Sequence, residues 1–165
     1  MGEPIRDPGE VRLRETRQND LPAFFSQQLD PDANHMAAFI RKNHTDRDLF
    51  MAHWQKITKD NGVYVQTILL NDRIAGYVLC HDWFGDPEVG YWIGKEFWGR
   101  GVATRALKLF LGQVKTRPLY AHAAKDNLGS LRVLEKCGFR VSGEGTSYSN
   151  ARGEDVEEYI LLLEH

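Results

Sequence analysis

The alternation of apolar and polar positions divides the chain into short strands and amphipathic helices. Apolar and basic residues alternate over 11–14, which predicts a first strand, and Asn19-Asp20 before Leu21-Pro22 indicates a helix start. Helical patterns dominate from there to residue 60. Within 46–59 the apolar residues recur at helical spacing and predict an aromatic stripe that packs against the core, formed by Leu49, Phe50, Trp54 and Ile57.

From residue 62 the period becomes that of β-strands. Segments 63–70 and 74–80 are rich in β-formers, and Asn71-Asp72 between them predicts a hairpin turn. Another short strand is expected over 88–93. Three neighbouring antiparallel strands therefore precede the glycine-rich stretch that follows.

The second half continues with a helical stripe over 102–114 and a short strand over 119–123. Asn127 is placed as the N-cap of a helix that ends at Cys137, and Gly138 as its left-handed C′ residue. Two further strands, 139–148 and 156–163, close the chain. The pattern predicts an α+β fold with a mixed, mostly antiparallel central sheet flanked by helices.

Length, composition and charge favour a single globular domain. The chain has 165 residues, a net charge of −2 and 42% hydrophobic residues, which suits one domain over 1–165. The final Leu163-Glu164-His165 resembles the remnant of an expression tag. Without a Lys/Arg run, nucleic-acid binding is not expected. The apolar runs fall short of the roughly 20 residues that span a bilayer, and the start lacks the apolar segment of a secretion signal, so a cytoplasmic protein is expected.

The metal-ligating residue types do not cluster. Cys80 and Cys137 lie far apart in segments that otherwise read as a strand and a helix end, and the six histidines are scattered along the chain. The cysteines are therefore interpreted as reduced core residues, and no metal site is expected.

The stretch GKEFWGRGVAT, residues 94–104, stands where a strand pattern passes into a helix pattern. A helix N-terminus presents unpaired N–H groups and the positive end of a dipole, so a glycine-rich entry can seat a phosphate. Gly99 and Gly101 allow close backbone approach and Arg100 adds a positive charge. The first-turn amides belong to Val102, Ala103 and Thr104.

Two familiar phosphate-binding patterns fit this stretch poorly. A P-loop requires Lys-Ser or Lys-Thr after its last glycine, where this chain has Val102-Ala103. A dinucleotide-binding fingerprint requires a third glycine, where Thr104 stands, and it directly follows a strand, whereas five residues intervene here. A turn with a purely structural role remains the other interpretation.

The stretch EVGYWIGKEFWGRGVAT followed by NLGSLRVLEKCGF resembles the GNAT superfamily of N-acetyltransferases, particularly the branch of ribosomal-protein alanine acetyltransferases. The likeness covers residues 62–162. It implies acetyl-CoA as cosubstrate, its pantetheine arm lying where two strands splay apart and its pyrophosphate held by the glycine loop. The residues implied for cofactor binding are Trp92, Ile93, Trp98, Gly99, Arg100, Gly101, Val102, Ala103, Thr104, Asn127 and Ser130. The family pattern has Arg or Gln where this chain has Glu96.

Acetyl transfer to an amine needs a base, a donor to the oxyanion and a proton for the departing sulfur. The resemblance places Glu88 as the base, although an exposed strand-start residue paired with a cation is the plain alternative. A backbone N–H around Trp92 or Ile93 would meet the oxyanion. The tyrosine that many relatives use as the acid is replaced by Leu134. Ser130 or water is left as the proton donor.

Three interpretations stay open at this point. Asn127 can orient the cofactor or the acceptor amide, cap its helix, or do both. His122 is either a secondary base or a packed or exposed histidine. The loop 81–86 either admits the acceptor or covers the core. The expected function is direct acetyl transfer in a ternary complex to a primary amine, on a protein N-terminus or a small molecule, by a monomer or homodimer. The alternative is a non-catalytic acyl-CoA-binding or regulatory module.

Overall fold

The computed structural model describes residues 9–165; the prediction about the start of the chain concerns residues that lie largely outside this range. This range contains seven strands and five α-helices. In chain order they are β1 Val11–Glu15, α1 Leu21–Gln27, α2 Pro31–Ala37, α3 Arg47–Lys59, β2 Tyr64–Leu70, β3 Arg73–His81, β4 Glu88–Ile93, α4 Val102–Gln113, β5 Leu119–Ala124, α5 Leu128–Lys136, β6 Arg140–Ser149 and β7 Glu154–Leu163.

All seven strands form one sheet in the order β1-β2-β3-β4-β5-β7-β6. Every neighbouring pair is antiparallel except β4 and β5, which run parallel. The parallel pair is possible because α4 carries the chain across the sheet between these two strands. The expected α+β class with a mixed, mostly antiparallel sheet is confirmed.

Local signals in the sequence explain where several elements begin and turn. Asn71 and Asp72 both have positive φ, 49° and 66°, as a tight two-residue hairpin turn requires. The helical stretch up to residue 60 is divided into three helices. One division is at Asp30, whose side chain accepts from Ala33 N (2.9 Å), with Pro31 in the first turn of α2.

Helices cover both faces of the sheet. On one face α4 and α5 pack against β2–β5 and β7 around the fully buried residues Phe110, Leu107 and Leu134. On the other face α1 and α3 enclose an aromatic cluster in which Trp54 lies against Phe24 and Tyr77. The stripe predicted for 46–59 contributes Phe50, Trp54 and Ile57 to this second cluster, whereas Leu49 is 50% exposed and does not pack there.

The chain's end belongs to the sheet. Leu163 is the last residue of β7, pairs with Leu119 and is 6% exposed. Glu164 beyond it pairs with Arg140 at 2.7 Å. Leu163, which the sequence analysis set aside as the remnant of a tag, is thus a core residue of the fold.

The two parallel strands separate almost as soon as they meet. Glu88 and Tyr120 form the one Cα pair recorded between β4 and β5, whereas β3 and β4 pair over six residues on each strand. Beyond Glu88 the strands diverge and leave an opening in the middle of the sheet. This opening positions the candidate site.

Candidate active site

The glycine loop enters α4 in the conformation that the sequence suggested. Gly99 and Gly101 have φ values of 76° and 70°, in the left-handed region where glycine carries no penalty. Gly101 is the N-cap of α4, and no side chain bonds to the helix's first amides. The first-turn N–H groups of Val102, Ala103 and Thr104 are therefore directed at the space in front of the helix.

The acidic residue that departs from the family pattern is neutralised by a partner. Glu96 lies 3.1 Å from the guanidinium of Arg73, which also stacks over the Phe97 ring at 5.1 Å. Both side chains of the ion pair are largely exposed. The carboxylate of Glu96 is thus engaged at the start of β3, and the loop presents its backbone amides to the space in front of α4. Arg100 is exposed and is not among the residues that line that space.

The main-chain groups of β4 divide between its two neighbours. Gly94 N donates to Ala75 O of β3 (2.8 Å), and Pro87 O accepts from Tyr120 N of β5 (2.9 Å). Because the direction of the main-chain groups alternates along a strand, Trp92 faces β3, while Tyr91 and Ile93 face the opening. The indole of Trp98 donates to Ile93 O (2.9 Å) at the edge of that opening.

A carboxylate and a histidine meet at the point where the strands part. Glu88, half-buried at the start of β4, has an oxygen 3.8 Å from Nε2 of His122. His122 Nδ1 lies 3.2 Å from the carboxylate of Glu158 on β7. The two nitrogens of His122, on β5, therefore connect acidic side chains on β4 and β7, the two strands that flank β5.

The pKa values of this group shift in directions suited to proton transfer. Burial raises the pKa of Glu88, and the nearby His122 partly offsets that rise. The hydrogen bond with Glu158 raises the pKa of His122 above its ordinary value. A carboxylate with a raised pKa is a better proton acceptor near neutral pH than an ordinary one.

On α5 the two predicted polar residues are joined by the helix cap. The side chain of Asn127 accepts from Ser130 N at 3.2 Å, which is the expected N-cap bond. Gly138 has a φ of 95° at the other end, as expected for a C′ glycine. The Oγ of Ser130 lies 2.8 Å from the hydroxyl of Tyr91 on β4.

The side chains of Tyr91, His122, Asn127 and Ser130 line one cleft of about 560 Å³ that runs along the opening between β4 and β5. Glu88 and Glu158 are not among its lining residues. Side chains alternate across a strand, so Glu88 and Trp92 face one side of the sheet and Tyr91 the other. The side with Tyr91 carries α5 and Ser130. The cleft therefore has His122 on one side, with Glu88 3.8 Å from it, and two hydroxyls on the other.

The wall of the cleft on the Glu88 side is α2. Ala33, Met36 and Ala37 line the cleft, and the turn between β6 and β7 holds this helix in place. Ser149, fully buried at the end of β6 where this turn begins, donates to Ala38 O at 2.6 Å. Arg152 donates to His35 O and forms a two-bond ion pair with Asp126.

The loop before β4 is held at its base and exposed at its tip. The ring of Trp83 stacks on His81 at 4.0 Å, and its indole lies 3.4 Å from Asp60. Phe84 is 82% exposed. The loop thus partly covers the end of α3, and its tip is exposed.

The sequence profile of the family described as Acetyltransferase (GNAT) domain matches residues 10–140, which is most of the chain. The chain belongs to the GNAT acetyltransferase family. This acetyltransferase is 27% identical over 127 residues to YdaF of Bacillus subtilis (strain 168), provisionally named a ribosomal N-acetyltransferase; the match covers 72% of the chain and 69% of YdaF. It is 37% identical over 101 residues to YjcK of the same organism, also provisionally named an N-acetyltransferase, covering 56% of each.

Solved structures of low sequence identity share the fold. The microcin C7 self-immunity acetyltransferase MccE, solved with acetyl-CoA and AMP, has a TM-score of 0.77 at 17% identity, over 94% of this chain and 93% of that one. The spermidine N-acetyltransferase of Vibrio cholerae, solved with CoA and spermine, has a TM-score of 0.74 at 19% identity, over 92% and 95%. The expected superfamily and enzyme class, an N-acetyltransferase, are confirmed.

Two further properties of this acetyltransferase concern what residues 9–165 contain. Within that range, no group of three or more His, Cys, Asp or Glu side chains is arranged to hold a metal ion. None of the helices described there is both long and apolar enough to cross a membrane. Cys80 and Cys137 are free and half-buried, and burial raises the pKa of each thiol.

Sequence reasoning missed the partners of the predicted residues. Tyr91 was not singled out, although it lies inside the quoted motif beside Trp92, and strand alternation could have placed it opposite Glu88. Glu158 had no local signal, because β7 reaches His122 only through the pairing of distant strands. The α2 wall could have been found from Asp30-Pro31, a cap followed by a first-turn proline.

Proposed function

We propose that this chain transfers the acetyl group of acetyl-CoA directly to a primary amine in a ternary complex. The observation that carries the proposal is the cleft itself. It has a helix N-terminus free of side-chain caps at one end, and proton-accepting and hydroxyl groups on its two sides. Neighbours of the same fold solved with acetyl-CoA or CoA support this choice of ligand.

The loop 98–104 would hold the pyrophosphate of acetyl-CoA. The amides of Val102, Ala103 and Thr104 are its hydrogen-bond donors, and Gly99 and Gly101 leave room where a Cβ would approach the anion. Arg100, which is exposed beside them, adds charge. The pantetheine arm then lies along Trp92 and Ile93, between β4 and α5, with Asn127 and Ser130 at its reactive end.

Glu88 would act as the general base. An α-amino group has a pKa of about 7.7–8.0 and a lysine about 10.4, so a neutral-pH amine must lose a proton before it attacks. Glu88 lies at the narrow end of the opening, on the same side as the α2 wall. Burial raises the pKa of its carboxyl, which helps it accept that proton.

The N–H of Ile93 would stabilise the oxyanion. Of the two amides considered from sequence, that of Trp92 faces β3 by strand alternation, whereas that of Ile93 faces the opening. Ser130, on the other side of the cleft, would donate to the departing sulfur. A thiol with a pKa of about 8.5 leaves readily, so this donor carries a smaller part of the rate.

The acceptor would be a protein N-terminus or a small-molecule amine. Relatives and neighbours of both kinds exist: YdaF is provisionally named a ribosomal N-acetyltransferase, and the Vibrio cholerae neighbour was solved with spermine. The proposed acceptor path runs between α2 and the loop 81–86. This path is supported by the position of Glu88, which faces the same side of the sheet as α2.

The test is release of CoA thiol with a panel of amines that includes N-terminal peptides, polyamines and amino acids. We expect turnover with at least one amine, and a loss of about 10²- to 10⁴-fold in kcat for Glu88→Gln with unchanged acetyl-CoA affinity. Glu164→Gln, which removes a distant paired carboxylate, is the matched control. Tight acetyl-CoA binding without thiol release on any amine would instead identify a non-catalytic module.

A further inference from the structure

We propose that Tyr91 is a positioning residue for the leaving group: its hydroxyl donates to Ser130 Oγ and so aims the Ser130 O–H at the thioester sulfur. This inference rests on the proposed function. It begins from the contact between the two hydroxyls, which are 2.8 Å apart and join β4 to the first turn of α5.

The contact lies where the acid must act. Both residues line the cleft, on the side of the sheet opposite Glu88. The base therefore receives the amine from one side while the hydroxyl pair meets the sulfur from the other. Leu134 cannot provide this proton, because its side chain has no polar group and is buried.

The direction of the hydrogen bond follows from the two hydroxyls. A phenol, with a pKa of about 10, is a stronger acid than an aliphatic alcohol and is therefore the better donor. When Tyr91 donates, the hydrogen of Ser130 is left for an acceptor in the cleft. The side chain of Asn127 accepts a hydrogen bond from Ser130 N. This bond holds the backbone of Ser130, and therefore the Cα and Cβ atoms that carry its hydroxyl, in one position.

The protons and electrons balance without a further reactant. The amine nitrogen forms a bond to the acetyl carbon, the C–S bond breaks, and its electron pair goes to sulfur. The ammonium loses its first proton through Glu88 to solvent before it attacks. After the N–C bond forms, the sulfur accepts the proton of Ser130, and the second proton of the nitrogen, carried by water, restores Ser130. Tyr91 stays protonated throughout, since burial raises its pKa to about 12.

The experiment is a double-mutant cycle on the full chain, measured with an amine that the wild type acetylates. We expect Tyr91→Phe to lower kcat by about 2- to 13-fold, the rate equivalent of one hydrogen bond, with the CoA dissociation constant unchanged. In the Ser130→Ala background the same substitution should have no effect, because Tyr91 acts only through Ser130.

Tyr64→Phe is the matched control. It removes a strand tyrosine hydroxyl with a 2.7 Å bond to Gln113, in a place away from the cleft lining. A Tyr91→Phe variant with wild-type kcat, or effects of Tyr91→Phe and Ser130→Ala that multiply in the double variant, would overturn the positioning role while leaving acetyl transfer intact. If the wild-type protein transfers the acetyl group to none of the amines, the proposed function is wrong, and the role of Tyr91 falls with it.

Discussion

Replacing Gly101 by alanine tests whether the glycine loop holds the cofactor. Gly101 has a φ of 70°, and an added Cβ would come no closer than 3.9 Å to the Arg105 guanidinium. The substitution therefore introduces no clash in the free protein. Its cost is the left-handed conformation itself, about 1–2 kcal/mol for a residue with a Cβ.

That cost sets the expected effect on binding. If the loop relaxes in the variant, the cofactor must restore the left-handed conformation to reach the amides of α4, which weakens binding about 5- to 30-fold. Isothermal titration with acetyl-CoA measures this directly. Any part of the strain that the free variant retains should appear instead as a lower melting temperature, by about 2–4 °C for each kcal/mol in a chain of this length.

Gly153 provides a control matched in backbone geometry. It has a φ of 68° in the turn between β6 and β7, and its added Cβ would meet nothing within 4 Å. Gly153→Ala should lower the melting temperature similarly while leaving acetyl-CoA affinity at the wild-type value. If both variants lose affinity equally, or Gly101→Ala binds as the wild type does, the loop does not hold the cofactor.

Three further predictions concern charge and capping. Because the charge of His122 lowers the pKa of Glu88, His122→Asn should move the acid limb of kcat/KM to higher pH; an unmoved limb would exclude Glu88 as the titrating base. Asp20 is 2% exposed and bonded to Arg14 and Thr67, so Asp20→Ala should cost about 3 kcal/mol in urea unfolding at pH 7. This difference should fade as the pH falls through the depressed pKa of Asp20, and its persistence at low pH would contradict the ion-pair account. Asn127→Ala should lower the stability by about 1 kcal/mol through loss of the helix cap. If the variant also has a raised KM for acetyl-CoA, Asn127 contacts the cofactor as well as capping its helix.

The elements that the sequence predicted well are those with a local physical signal. The bounds of β4 and the start of α4 agree with the structure because strand alternation and a left-handed glycine are both visible over a few residues. The same holds for Asn127 and Gly138, whose roles in capping depend on their own helix.

The parts of the candidate site that could not be predicted from the sequence are contacts between segments far apart in the chain. The link from Glu88 through His122 to Glu158 exists because β5 lies between β4 and β7, an order that no local pattern encodes. The contact between the hydroxyls of Tyr91 and Ser130 likewise joins an element that precedes the glycine loop in the sequence, β4, to one that follows it, α5.

The central claim is that the cleft between β4 and β5 holds acetyl-CoA with its thioester between the two groups of proton-transferring side chains. A crystal structure of the acetyl-CoA complex tests it most directly. The account predicts pyrophosphate oxygens within hydrogen-bond distance of the amides of Val102, Ala103 and Thr104, the thioester oxygen facing Ile93 N, and the sulfur beside Ser130 Oγ. Acetyl-CoA bound elsewhere, or in the cleft with its sulfur away from Ser130, would contradict it.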